Sequence, residues 1–238
     1  MDELVVTAAT HRGLVRESNQ DRIVIGPWIA APDRPGPVTL RLAPADGPMA
    51  VIDGMGGHAG GDLAAAIAAE AIASHGSGAV AGAALAGLLR AANRSVYDRM
   101  EQVPSMAGMG AAVACVAVTD SEIVVANVGD VRAYLVSDGY LIQLSVDDVA
   151  ADGALTASLG GRAAFEPVDP HLACEPASAS RVLVASDGLF GSVELEVLEG
   201  LVGDDDAGFV SRLIDAALSA GGMDNVSVAV VRRSGWGG

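Results

Sequence analysis

Four aspartates stand where apolar runs end. Asp53 follows Met49-Ala50-Val51-Ile52, Asp187 follows Val182-Leu183-Val184-Ala185-Ser186, Asp130 sits in a Gly129-Asp130 break between two apolar segments, and Asp224 shortly precedes Val226 to Val231. A carboxylate at the margin of an apolar core is costly unless it is hydrogen-bonded, paired with a cation or bound to a metal. Few arginines lie near these positions in sequence. Oxygen ligands without companion histidines or thiolates favour Mg²⁺ or Mn²⁺ over zinc. Gly54, Gly129 and Gly188 stand beside three of the acids and let backbone approach an ion, and the Gly54 carbonyl could itself be a ligand. Each Asp-Gly pair alone reads more readily as a turn at a strand end; four on one architecture favour a common site.

The elements that must carry these residues can be read from hydrophobic periodicity. Leu4 to Ala9, Arg22 to Ile25 and Met49 to Ile52 read as strands. Asp62 to Ser74, with Leu63, Ile67 and Ile72, and Ala79 to about Glu101, with Leu85, Leu88, Leu89, Ala92 and Val96, read as two helices. Strands return over 111–119, 123–127, 132–136 and 140–144, the last two joined by a Ser137-Asp138-Gly139 hairpin signal. Arg181 to Ser186 is a further strand, followed by helices near 194–201 and 207–220 and a closing strand from Val226 to Val231. Strands in runs and helices in pairs predict segregated layers of α+β type rather than alternating βαβ units. A Pro-rich stretch over 27–48 reads as a loop-strand-loop insertion around Val38 to Leu42. It is too short to separate domains, so one domain over 1–238 is expected.

Composition narrows the chemistry further. The 238 residues carry 14 basic and 30 acidic side chains, a net charge of −16, and every basic residue is an arginine. That removes lysine-dependent phosphate loops and Schiff-base chemistry, and it disfavours nucleic acid, which requires clustered cations. The two cysteines, Cys115 and Cys174, lack metal-ligand spacing and predict no disulfide. The N-terminus lacks the pattern of a secretory signal, and no apolar stretch reaches spanning length. The expectation is a cytoplasmic protein without membrane contact.

The same residues carry a resemblance. Gly13-Leu-Val-Arg16-Glu-Ser-Asn19-Gln20-Asp21, Val51-Ile-Asp53-Gly54-Met55-Gly56-Gly57-His58, Asn127-Val-Gly129-Asp130-Val-Arg132, Leu159-Gly160-Gly161, Ala185-Ser186-Asp187-Gly188 and Asp224-Asn225-Val226-Ser227 occur in series. Together they resemble the bacterial branch of the metal-dependent protein phosphatase 2C family, from Thr10 to Val231. The resemblance implies a four-layer αββα sandwich, two antiparallel sheets flanked by paired helices. It implies hydrolysis of phosphoserine and phosphothreonine in proteins by a water bridging two divalent ions, Mn²⁺ or Mg²⁺, without a phosphoenzyme. Phosphorylated proteins are then the partners, with Ser/Thr kinases or their substrates among them.

Carried over residue by residue, the resemblance makes Asp53 the bridging ligand, with the Gly54 carbonyl beside it. Asp187 and Asp224 hold the other ion, and Asp130 with Asp187 a third. Asp21 orients ligating waters, and Arg16 grips the phosphate oxygens. His58 is either the acid that protonates the leaving alkoxide or a local hydrogen-bonding residue. There are departures from the family pattern: Gln20 for a frequent Glu, Met55 for the histidine of eukaryotic members, Ala111-Ala112 for paired threonines, Val131 for Ser, and Asp147-Asp148-Val149 for Asp-His-Ser. Only residues 148–158 separate Asp147 from Leu159, so the flap beside the cleft is expected to be short. These losses leave a second expectation in play, a catalytically impaired pseudo-phosphatase or regulatory phosphoprotein-binding module of the same fold.

Overall fold

The computed structural model describes residues 3–30, 32, 36–56, 58–78, 81–177 and 181–234, without the side chains of residues 58 and 59. In chain order the strands are β1 (Leu4–His11), β2 (Arg22–Ile25), β3 (Trp28–Ile29), β4 (Val38–Leu42), β5 (Met49–Met55), β6 (Gly110–Val118), β7 (Glu122–Val128), β8 (Arg132–Ser137), β9 (Tyr140–Gln143), β10 (Leu159–Gly160), β11 (His171–Pro176), β12 (Arg181–Ala185) and β13 (Val226–Arg233). The helices are α1 (His58–His75), α2 (Gly82–Gln102), α3 (Asp187–Phe190), α4 (Leu195–Glu199) and α5 (Asp206–Ser219). One sheet runs β4-β1-β13-β12-β8-β9. The other runs β11-β7-β6-β5-β2-β3, with β10 added beside β6. The pairings within both are antiparallel.

Period-two alternation sorts the side chains into three apolar layers. On β6, Ala111, Val113, Cys115 and Ala117 face α1 and α2, where Ala64, Ala68, Ile72, Leu85 and Leu89 meet them. Ala112, Ala114, Val116 and Val118 point the other way, against Val182, Val184, Ala229 and Val231 of the opposite sheet. The outer face of that sheet, Leu183, Ala185, Val226, Val228 and Val230, packs on Phe209, Val210, Leu213 and Ile214 of α5. The chain is therefore an α+β sandwich of four layers, αββα: the element order predicts the α+β class, and the resemblance implies the layering. Its alanines let helices and sheets approach closely.

The β8–β9 hairpin turns at Asp138 and Gly139, both at positive φ (50° and 85°), as a two-residue primed turn requires. The segment Val38–Leu42 pairs along β1 as an edge strand. Residues 148–158 contain no helix and are closed by one bridge between Val149 and Leu155. Both cysteines are free, and among the described residues no helix is long and apolar enough to cross a membrane.

Candidate active site at the mouth of the inter-sheet layer

Strand alternation brings the acids to one end of the sandwich. Met49 and Val51 of β5 face the inter-sheet layer, so Asp53, next on that face, arrives at its mouth. The same parity places Asp21 one step before Ile23 and Ile25 of β2. Asp187 turns the chain out of β12 into α3, Asp130 sits between β7 and β8, and Asp224 lies just before β13. Around a cleft of about 330 Å³ stand Arg16, Glu17, Ser18, Gln20, Asp53, Gly54, Asp130, Asp187, Asp224 and Asn225, with Met55, Gly56, Ala112 and Leu155 completing the walls. Every acid read from the sequence as a ligand thus lines a single cavity, and Asp21 lies buried behind it. Of the alanines that replace threonines, only Ala112 faces the cleft; Ala111 packs toward the helices. The side chain of His58, which opens α1, lies outside the described residues.

The floor of the cleft depends on a close approach of two backbones. A Cβ on Gly54 would fall 2.2 Å from the Gly61 carbonyl oxygen, and one on Gly61 would fall 2.7 Å from that of Gly54. Strand β5 and the first turn of α1 can touch here only because both residues are glycine.

The loop bearing Arg16 is exposed but pinned at both ends. Asn225 Nδ2 donates to the carbonyls of Arg12 (2.8 Å) and Ser18 (2.9 Å), and its Oδ1 accepts from the Gln20 amide (2.8 Å). The Leu14 amide donates to the Gly222 carbonyl at 2.7 Å. Arg16 Nη2 in turn meets Asp224 Oδ2 at 2.5 Å. Asn225 belongs to the Asp224-Asn225-Val226-Ser227 motif, yet nothing in the sequence announces that its amide spans more than 200 residues to organise this loop. Asn225→Ala is expected to raise KM for an aryl phosphate about tenfold, with a smaller change in kcat, because three hydrogen bonds restraining Arg16 vanish while the acids stay. Steady-state kinetics at saturating Mn²⁺ check it.

Beneath the cleft lies a buried polar chain. Ser186 Oγ donates to Asp21 Oδ2 (2.8 Å) and accepts from the Ser227 amide (2.9 Å). The Ser227 and Thr10 hydroxyls are 2.7 Å apart, and Asn19 Nδ2 donates to Thr10 Oγ1 at 2.7 Å. The other carboxylate oxygen of Asp21, Oδ1, is buried with no hydrogen-bond partner among the described residues. Burial, opposed by the Ser186 and Ser227 hydrogen bonds and reinforced by Asp187 and Asp224, pushes Asp21 up to about 7. Burial, then the charges of Asp21 and Asp187, hold Asp53 well above the usual carboxylate range. Burial with the neighbouring Asp187 raises Asp130 to about 6. Asp187 is also displaced upward, by burial and then by Asp224. Asp187 presents exposed surface to the cleft, whereas Asp21 has none.

Asp130 owes its place to a clamp that the motifs do not announce. Asp148 Oδ2 accepts from the Gly129 amide (2.9 Å), its own amide donates to the Gly129 carbonyl (3.0 Å), and its Oδ1 lies 2.8 Å from His171 Nε2. Asp147, beside it, takes the guanidinium of Arg132 at 2.7 Å.

The donor set fits a hard divalent cation. Mutually repelling carboxylates and an orphaned buried oxygen are groups that a hydrated cation would satisfy. Among the described residues no three such side chains close into a finished cage. Asp224 is turned onto Arg16, and an open arrangement suits an octahedral ion that keeps several waters.

Comparison with known proteins defines the class. A family model described as protein phosphatase 2C matches residues 41–223, and the chain belongs to that family. Serine/threonine protein phosphatase PstP of Mycobacterium tuberculosis is 33% identical over 243 residues, covering 94% of this chain and 44% of that protein, so the chain spans less than half of that relative's length. Serine/threonine phosphatase stp of Listeria innocua is 27% identical, covering 94% of each chain. The crystal structure of the PstP catalytic domain in complex with two manganese ions superposes with a TM-score of 0.78 at 30% identity, covering 97% of this chain and 99% of that one.

Proposed function

We propose that this chain is a metal-dependent protein phosphatase that hydrolyses phosphoserine and phosphothreonine, with two divalent ions and no phosphoenzyme. The observation that carries the reading is the convergence of Arg16 with Asp53, Asp130, Asp187 and Asp224 on one cleft. The manganese ions of the PstP catalytic domain support divalent metal use. Asp53 with the Gly54 carbonyl, and Asp187 with Asp224, would hold two Mn²⁺ or Mg²⁺ ions; Asp130 with Asp187 would hold a third. When bound, the ions supply Lewis acidity and an activated water for in-line displacement at phosphorus.

The chain's own groups do the rest. The Arg16 guanidinium, now on Asp224, would be free to bind two phosphate oxygens side by side were Asp224 to serve a cation instead. Its permanent charge holds the phosphoryl group against the acids around it. Asp21, fixed by Ser186 on one oxygen, offers Oδ1 to orient water. The 148–158 segment, short and without a helix, leaves the cleft open to a protein surface, and the whole chain acts as one catalytic domain. Serine/threonine kinases and their substrates are natural phosphoprotein partners for such an activity.

Hydrolysis of an aryl phosphate tests the reading. Turnover is expected with Mn²⁺, abolished by chelator and absent from Asp187→Ala. Turnover that survives chelation overturns it, and metal binding without any turnover would favour the phosphoprotein-binding module instead.

A further inference from the structure

Two large apolar side chains stand beside cleft-lining residues in the chain with most of their surface in solvent: Leu14 (65% exposed), two residues before Arg16, and Met223 (60%), immediately before Asp224. Two strings of chain run side by side here, 14–16 and 222–224, joined by the hydrogen bond from the Leu14 amide to the Gly222 carbonyl. A Cβ on Gly222 would lie 2.8 Å from Leu14 Cγ, and one on Gly221 would lie 3.7 Å from Met223 Cγ. Both side chains therefore flank the same glycine turn. Each string then enters the cleft, one at Arg16 and the other at Asp224. Exposed apolar side chains clustered beside a functional cleft mark a contact surface.

We infer that Leu14 and Met223 form a lip that receives an apolar side chain next to the phosphorylated residue of the substrate polypeptide. The inference rests on the phosphatase reading and adds a substrate class to it. A phosphoserine whose phosphate is held at Arg16 must lay its own chain over the ground around Arg16, and its neighbouring Cα lies only about 3.8 Å away along that chain. On this side the ground is apolar. Acidic neighbours gain nothing there and face Glu17, which lines the cleft next to Arg16. The occupant is thus a phosphopeptide with Leu, Val, Ile or Met flanking the phosphoresidue, rather than one flanked by Asp or Glu.

The test compares phosphoserine peptides of equal length that carry leucine, aspartate or arginine on either side of the phosphoresidue, with an aryl phosphate as reference. Wild type is expected to prefer the leucine peptide over the aspartate peptide by about tenfold in kcat/KM. The Leu14→Ser, Met223→Ser double variant should lose that preference while its aryl phosphate turnover stays within about twofold, which also certifies its fold. Leu14→Met should retain the preference. Equal kcat/KM for leucine and aspartate peptides in wild type, a preference for arginine over leucine, or a double variant that discriminates as before overturns the lip while leaving the phosphatase reading intact. A wild type inert toward the aryl phosphate removes both.

Discussion

Asp53→Asn is expected to make the metal-free protein more stable and to abolish metal-dependent hydrolysis. At neutral pH, Asp53 stands among Asp21, Asp130 and Asp187, and both burial and these neighbours oppose its ionisation. Asparagine keeps the shape and has no proton to lose, so the cost that burial and the neighbouring acids impose on an aspartate here, met in the metal-free protein by holding it protonated, disappears. Each kcal/mol relieved raises the melting temperature of a domain of this size by roughly 2–4 °C. The cost appears in function. On the proposed reading the substitution removes an anionic ligand that no other carboxylate supplies from the same strand end. Loss of activity should exceed roughly 100-fold, the upper range for groups that merely support a metal ligand. Melting in chelator, Mn²⁺ titration calorimetry and aryl phosphate kinetics measure stability, metal binding and turnover. An Asp53→Asn protein that melts lower in chelator than wild type, or that retains Mn²⁺-dependent turnover, contradicts the placement of charge in the cleft. The stability trade is the more discriminating arm, since an Asp53 that was only a strand-end turn residue would have no repulsion to relieve.

The sequence made these acids visible because each terminates a buried strand, and a buried strand reads as an apolar run with an abrupt polar end. Central strands β5, β6, β12 and β13 were legible for that reason. Edge strand β11 was not: His171-Leu-Ala-Cys-Glu-Pro176 alternates half-exposed and exposed residues, which is the pattern of a loop as much as of a strand with one solvated side. The two-residue strands β3 and β10 and the single turn α3 are too short to show a period. Helix α1 begins at His58, four residues before the alanine-rich pattern suggests. Gly60 and Gly61 read as loop until the contact between Gly61 and Gly54 supplies their physical reason. The cleft acids could be named singly, but the groups that hold them in place could not. Asn225, Asp148 and His171 act through contacts between residues far apart in sequence, and an ordinary amide, carboxylate or imidazole carries no local mark of such a partner.

The metal-free protein is also expected to lose stability as pH rises from about 5 to 8, and Mn²⁺ is expected to return more stability at pH 8 than at pH 5. An unfolded aspartate titrates at about 3.9, whereas in the folded chain Asp130 lies at about 6 and Asp21 at about 7. Between these values the folded state holds protons that the unfolded state has already given up. Unfolding then releases protons, and stability falls with pH until the folded groups ionise. Asp21 alone, fully buried, accounts for a loss on the order of 4 kcal/mol between about pH 4 and pH 7. A bound cation reverses the balance by favouring the ionised carboxylates, so its stabilisation grows as protons leave. Melting curves in chelator and in Mn²⁺, taken across this range for wild type and Asp21→Asn, separate the contribution. Wild type in chelator should fall with pH more steeply than Asp21→Asn, whose amide cannot ionise and still accepts from Ser186. Parallel curves for the two proteins would remove Asp21 from the account, and a Mn²⁺ effect that shrinks toward pH 8 would contradict the competition itself. The same competition reaches function: protons and cations contend for one set of oxygens, so the Mn²⁺ concentration needed for half-maximal turnover should rise as pH drops below about 6, where Asp130 too is claimed by protons.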